Sequence, residues 1–152
     1  MSVKNAVKLF LPLVFLLATT VFIWSNSARD AAESALQSEG VGEWMRRFFD
    51  IEKQPFRFFY ENRRKLAHFA EFFLLGLESA AFFLLNLKND GRAVSCAILL
   101  CALVATIDEG IQYFVPGRVC AFSDVCLDTF GAICAITFVW LARRLFLPIA
   151  KK

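Results

Sequence analysis

The sequence predicts an all-α fold: an integral membrane bundle of four transmembrane helices with an amphipathic interfacial segment between the first and the second. Two observations carry that expectation. Hydrophobic residues make up 58% of the 152 positions, 18 phenylalanines among them, and the mean hydropathy is +0.54; both exceed what a soluble domain carries. This apolar material is gathered into four stretches, each close to the roughly 20 residues that a helix needs to cross a bilayer. Residues 1–152 read as a single domain. The net charge of +3 is modest and gives nucleic-acid binding no support.

The first stretch covers residues 6–24. Lys4 and Lys8 precede or open it and small residues follow at 25–28, the outline of a secretory signal. Its apolar run is longer than most cleaved signals, so an uncleaved anchor is expected. The segment 25–65 comes next, and within it GEWMRRFFDIEKQPFRFFYENRRK mixes aromatic with charged residues. Trp44, Phe48, Phe49, Phe56, Phe59 and Tyr60 suit a piece lying in the headgroup region and interrupted near Pro55. A small extramembrane helix packed on the bundle is the alternative. The second stretch covers 66–87, and Asn89-Asp90-Gly91 marks a turn into the third, 93–114. Pro116-Gly117 signals a second turn, and the fourth stretch runs over 126–149.

Orientation follows from lysine and arginine near the span ends. With four spans, the N-terminus, the turn at 88–92 and the C-terminus share one side, with Lys4, Lys8, Lys88, Arg92, Arg143, Arg144, Lys151 and Lys152. The other side holds Arg118 in its short loop and eight basic residues in the long segment, interleaved with seven carboxylates. The short loops and the tail agree on cytoplasmic termini, and the long segment opposes them.

Polar residues fall at particular ends of the spans. Lys65, His68 and Glu71 are spaced i, i+3 along one helix surface, and Glu78 returns to it seven residues later. Asp108, Glu109 and Gln112 close the third span, Arg118 follows in the loop, and Asp124 and Asp128 open the fourth at i, i+4. Gly131 then allows another helix to approach closely. Alternation of spans brings the start of the second, the end of the third and the start of the fourth to one membrane face. Nine residues therefore converge as the candidate functional cluster: Lys65, His68, Glu71, Asp108, Glu109, Gln112, Arg118, Asp124 and Asp128.

A charge at the centre of a membrane helix costs on the order of 3 kcal/mol on insertion scales and less near the interface, so such groups face the bundle interior or water and find partners. One reading of the cluster is an ion-paired network in which Lys65, His68 and Arg118 neutralise the five carboxylates and fix helix register. The other is a site. No spacing of recognised metal ligands is present, so neither a metal nor a cofactor is expected. Ser79, Ser95 and Ser123 carry no nucleophile signature, and catalytic residues stay unassigned. Cys96, Cys101 and Cys134 lie in apolar runs as small hydrophobes; Cys120 and Cys126 are close enough in sequence to pair if their loop faces an oxidising compartment.

Three motifs in order resemble the VanZ-like family of small multi-span bacterial membrane proteins, from Ser25 onward. Ser25, Ser27, Ser34 and Ser38 give a serine-spaced segment after the first span. Arg64, Lys65, His68, Phe69, Glu71, Phe72 and Gly76 match an RKxxHFxEF-like run; Asp108, Glu109, Gln112, Phe114, Pro116, Gly117 and Arg118 match DExxQxFxPGR; and Asp124, Val125, Asp128 and Gly131 match DVxxDxxG. Many relatives carry Asn in place of Asp128, and the loop VCAFS is bulkier than theirs. The resemblance implies an envelope role, the name-giving member being associated with low-level resistance to the lipoglycopeptide teicoplanin. Expected partners are membrane lipids and a lipid-linked wall precursor or lipoglycopeptide, with oligomerisation open. An enzyme acting on such a lipid with His68 as acid/base, a proton-coupled transporter using Glu78, and a scaffold are the competing readings.

Overall fold

The computed structural model describes residues 3–146, in which every regular element is a helix. They are α1 (Val3–Ser27), α2 (Ala31–Phe48), α3 (Phe56–Glu61), α4 (Arg63–Asn86), α5 (Asp90–Tyr113) and α6 (Phe122–Phe146). Four of them contain spans long and apolar enough to cross a membrane: Val7–Ser27 in α1, and the whole of α4, α5 and α6. A helix of 24 residues reaches about 36 Å, more than the roughly 30 Å of hydrocarbon it has to cross.

All four helices begin three or four residues before the apolar stretches that mark them in the sequence. Hydropathy locates the hydrocarbon-compatible centre, whereas the backbone stays helical until its hydrogen bonds find other partners. Thus α4 begins at Arg63 and α6 at Phe122, and α1 runs on to Ser27. The far end expected for the fourth span, 147–149, lies outside the described residues. Side chains set the boundaries where they cap: the Asp30 carboxylate accepts from the Glu33 N–H at 2.8 Å to start α2, and the Asn89 amide oxygen accepts from the Arg92 N–H at 2.9 Å to start α5. Asp124 in the first turn of α6 and Arg143 and Arg144 in its last turn complement the helix dipole.

The bundle centres on α4, which packs against α1, α5 and α6. Its closest approach is to α6. A Cβ built on Gly76 would sit 2.6 Å from the Ala132 carbonyl oxygen, and one on Gly131 would sit 2.8 Å from the Phe69 carbonyl oxygen. Two glycines on facing helices therefore let the backbones touch, the arrangement expected at Gly131. Small residues fill the core of the bundle as well, with Ala80 of α4, Ala93, Ala97 and Ala105 of α5, and Ala132 and Ala135 of α6 all buried. Phe10, Val14, Leu99, Leu103 and Phe138 instead point outward, as lipid-facing side chains do. Gly110 has open space where a Cβ would go. Gly110→Ala is expected to raise thermal stability in detergent by roughly 0.5–1 kcal/mol, read as a melting shift, because it removes only backbone freedom of the unfolded chain.

The connection between α1 and α4 forms α2 and α3, broken over residues 49–55. Its aromatics are largely exposed: Trp44, Phe48 and Phe58 all are. Phe49 stacks on Phe56 at 5.0 Å between ring centroids, and the Arg46 and Arg63 guanidinium groups lie 5.0 and 4.8 Å from the Tyr60 ring. These contacts fold α3 back towards the start of α4.

Candidate functional site

The end of α1, the start of α4, the end of α5 and the start of α6 meet at one end of the bundle. Trp24 ties α1 to α5 there, its indole N–H donating to the Val104 carbonyl at 3.3 Å. Asn26 ties α1 to α4 through an amide donated to Glu71 Oε1 at 3.0 Å. Gln112 is the junction of three helices: its amide nitrogen donates to Asp108 Oδ2 at 3.0 Å and to Ser27 Oγ at 3.4 Å, and its oxygen accepts from Arg64 at 3.3 Å. Glu109 pins the α5–α6 loop by accepting the Ala121 N–H at 2.9 Å.

Arg118 bridges from that loop to the end of α1. Its Nε donates to the Arg29 carbonyl at 3.3 Å and its Nη2 to the Asn26 carbonyl at 3.2 Å. Nη1 is buried and has no partner among the described residues. The ion-paired network is accordingly not what forms. His68 Nδ1 and Glu71 Oε2, at 3.9 Å, make a loose pair. Arg118 spends its donors on backbone carbonyls, and Lys65 is exposed and makes no ion pair with the carboxylates among the described residues.

Two pockets open beside each other on this end and share Arg64 and His68. One, about 190 Å³, is lined by Asn26, Arg63, Arg64, His68, Glu71 and Arg118, with Ser34 and Val41 of α2 at its edge. The other, about 310 Å³, is lined by Arg64, Lys65 and His68 from α4, by Glu109 and Gln112 from α5, and by Asp124 and Asp128 from α6. Eight of the nine residues expected to converge thus line these pockets, and the ninth, Asp108, is fully buried behind Gln112. Buried polar atoms with no partner among the described residues cluster here too: His68 Nδ1, Asp108 Oδ1 and Asp128 Oδ1.

Sequence reasoning does not single out Asn26, although the polar run Ser25-Asn26-Ser27 at the end of an apolar stretch is a signal that could have found it. Arg64 and Ser27 enter the sequence reading only through the family motif. Glu78 stands apart from both pockets and accepts from the Thr19 hydroxyl of α1 at 3.0 Å, a structural tie for a carboxylate deep in the bundle. Cys120 and Cys126 are both free thiols, as are Cys96, Cys101 and Cys134.

Four helices suited to crossing a membrane, with their polar ends gathered into pockets at one end, define a multi-span membrane protein with a candidate site there. The VanZ/LLP1 family model matches residues 9–143, and the chain belongs to that family. Neither the curated proteins nor the solved structures give a match.

Proposed function

We propose that this VanZ-like protein resides in the bacterial cytoplasmic membrane and captures the anionic headgroup of an amphiphile, a lipid-linked wall precursor or a lipoglycopeptide, at the joined pockets. Through that contact it contributes to low-level teicoplanin resistance. The observation that supports this reading is the smaller pocket. Three arginines, Arg63, Arg64 and Arg118, line it against one carboxylate, Glu71, and the buried Nη1 of Arg118 has a donor to give. Guanidinium groups held in this way suit phosphate or carboxylate oxygens.

The larger pocket adds Lys65 at its rim. With both termini cytoplasmic, the two pockets face the exterior, where wall precursors are used and lipoglycopeptides arrive. In this reading α2 and α3 lie in the headgroup layer with Trp44, Phe48 and Phe58 immersed in it, and their attachment beside Arg63 holds the bound headgroup at the correct depth. The test is teicoplanin susceptibility of cells expressing the wild type, Arg118→Ala or Asp108→Ala at matched protein levels, against cells lacking the protein. The wild type is expected to lower susceptibility and both variants to abolish that protection. Identical susceptibility in all four strains would remove resistance from the function.

A further inference from the structure

The larger pocket has an acidic floor that its basic residues do not neutralise. Asp108 on α5 and Asp128 on α6 are 0% and 1% exposed, and neither makes an ion pair among the described residues. His68 on α4 stands beside them: one ligand atom from each of His68, Asp108 and Asp128 lies within 4.8 Å of the other two. Atoms bound to one tetrahedral ion at the roughly 2.0–2.2 Å typical of imidazole and carboxylate ligands are about 3.3–3.6 Å apart. The three side chains therefore need to close by at most about 1.5 Å from their present spacing, within the reach of rotamer adjustment.

A second, independent observation points to a ligand. Asp108 Oδ1, Asp128 Oδ1 and His68 Nδ1 are all buried without a hydrogen-bond partner among the described residues. Unpartnered carboxylate oxygens in a low-dielectric interior cost several kcal/mol unless a proton or a metal cation meets them, and a cation held between them and His68 meets all three groups at once. Gln112 already occupies Asp108 Oδ2, the kind of supporting contact that orients a metal-binding carboxylate and presents its other oxygen.

We propose that His68, Asp108 and Asp128 bind a divalent transition-metal ion of the zinc or manganese class. One imidazole and two carboxylates suit such an ion better than the all-oxygen preference of calcium. Three protein ligands leave coordination positions open, and because His68 and Asp128 line the larger pocket, those positions face it. A phosphate oxygen of the captured headgroup completes the shell, with Arg64 and Lys65 on the same headgroup; this second part rests on the headgroup reading of the pocket. The cation also explains how a pocket with Glu109, Asp124 and Asp128 in its wall accepts an anion.

The experiment uses the full-length protein purified in detergent, stripped with chelator and titrated with Zn²⁺ by calorimetry and with Mn²⁺ by electron paramagnetic resonance. One tightly bound ion per chain and a nitrogen coupling from imidazole in the Mn²⁺ spectrum are expected. Asp128→Asn and His68→Gln should each weaken binding at least tenfold, while Asp50→Asn, at an exposed carboxylate outside both pockets, leaves it within about twofold. Asp128→Asn preserves the side-chain shape, so a monodisperse, cooperatively melting variant keeps the comparison valid, and His68→Gln gives a second route if it does not. Folded wild type that binds no ion, or binding unchanged in both triad variants, would overturn the site. Phosphatidic acid binding measured with and without chelator separates the two readings. Arg118-dependent binding that survives chelation sinks the metal bridge alone; metal binding with no lipid binding sinks the headgroup capture alone.

Discussion

Replacing Gly76 by leucine is expected to prevent the bundle from assembling, so that no monodisperse species survives size-exclusion chromatography in mild detergent. The Cβ alone would stand 2.6 Å from the Ala132 carbonyl oxygen and 2.8 Å from its Cα. These are backbone atoms of α6 and have no rotamer with which to yield. Overpacking in a core typically costs 1–3 kcal/mol where side chains can shift; here α4 and α6 must separate along their closest contact. The same separation would pull His68 away from Asp128. Gly76→Ala should show the effect in reduced form, as a lower melting temperature with assembly retained, whereas Gly110→Ala should not lower it.

Arg118→Lys is expected to be nearly as damaging to headgroup binding as Arg118→Ala, although it keeps the charge. The guanidinium holds the Arg29 and Asn26 carbonyls with two of its nitrogens, and its Nη1 has no partner among the described residues. A lysine ammonium has no fixed fork with which to make three divergent contacts. Hydrogen bonds to charged groups contribute about 1.5–3 kcal/mol, so the affinity of a phosphate-headed lipid should fall roughly 10- to 150-fold in both variants. Lipid titration of each purified variant measures this; full affinity in Arg118→Lys would reduce the residue to a diffuse positive charge.

Much of this organisation is legible in the sequence because a membrane constrains it. Hydropathy alone places the four spans, and their alternation sends Lys65, His68, Glu71, Asp108, Glu109, Gln112, Arg118, Asp124 and Asp128 to one face. The partners were less legible. Arg118 looks like a counterion for nearby carboxylates, yet it bonds to carbonyls at the end of α1, which are identical in every sequence and carry no signal. Asn26 reaches Glu71 across 45 positions of chain, and no local pattern marks such a contact. His68, Asp108 and Asp128 come from three helices, so the grouping has no ligand spacing to recognise and exists only once Gly76 and Gly131 have brought α4 and α6 together.

In the proposed function the polar ends of the four spans form a site for an anionic headgroup. Native mass spectrometry of the purified protein with phosphatidic acid and with phosphatidylcholine of identical acyl chains tests it most directly. Saturable binding of phosphatidic acid is expected at one site per chain, at least tenfold tighter than that of phosphatidylcholine and lost in Arg118→Ala. Equal binding of the two lipids, or phosphatidic acid binding that Arg118→Ala leaves intact in a folded protein, would contradict it.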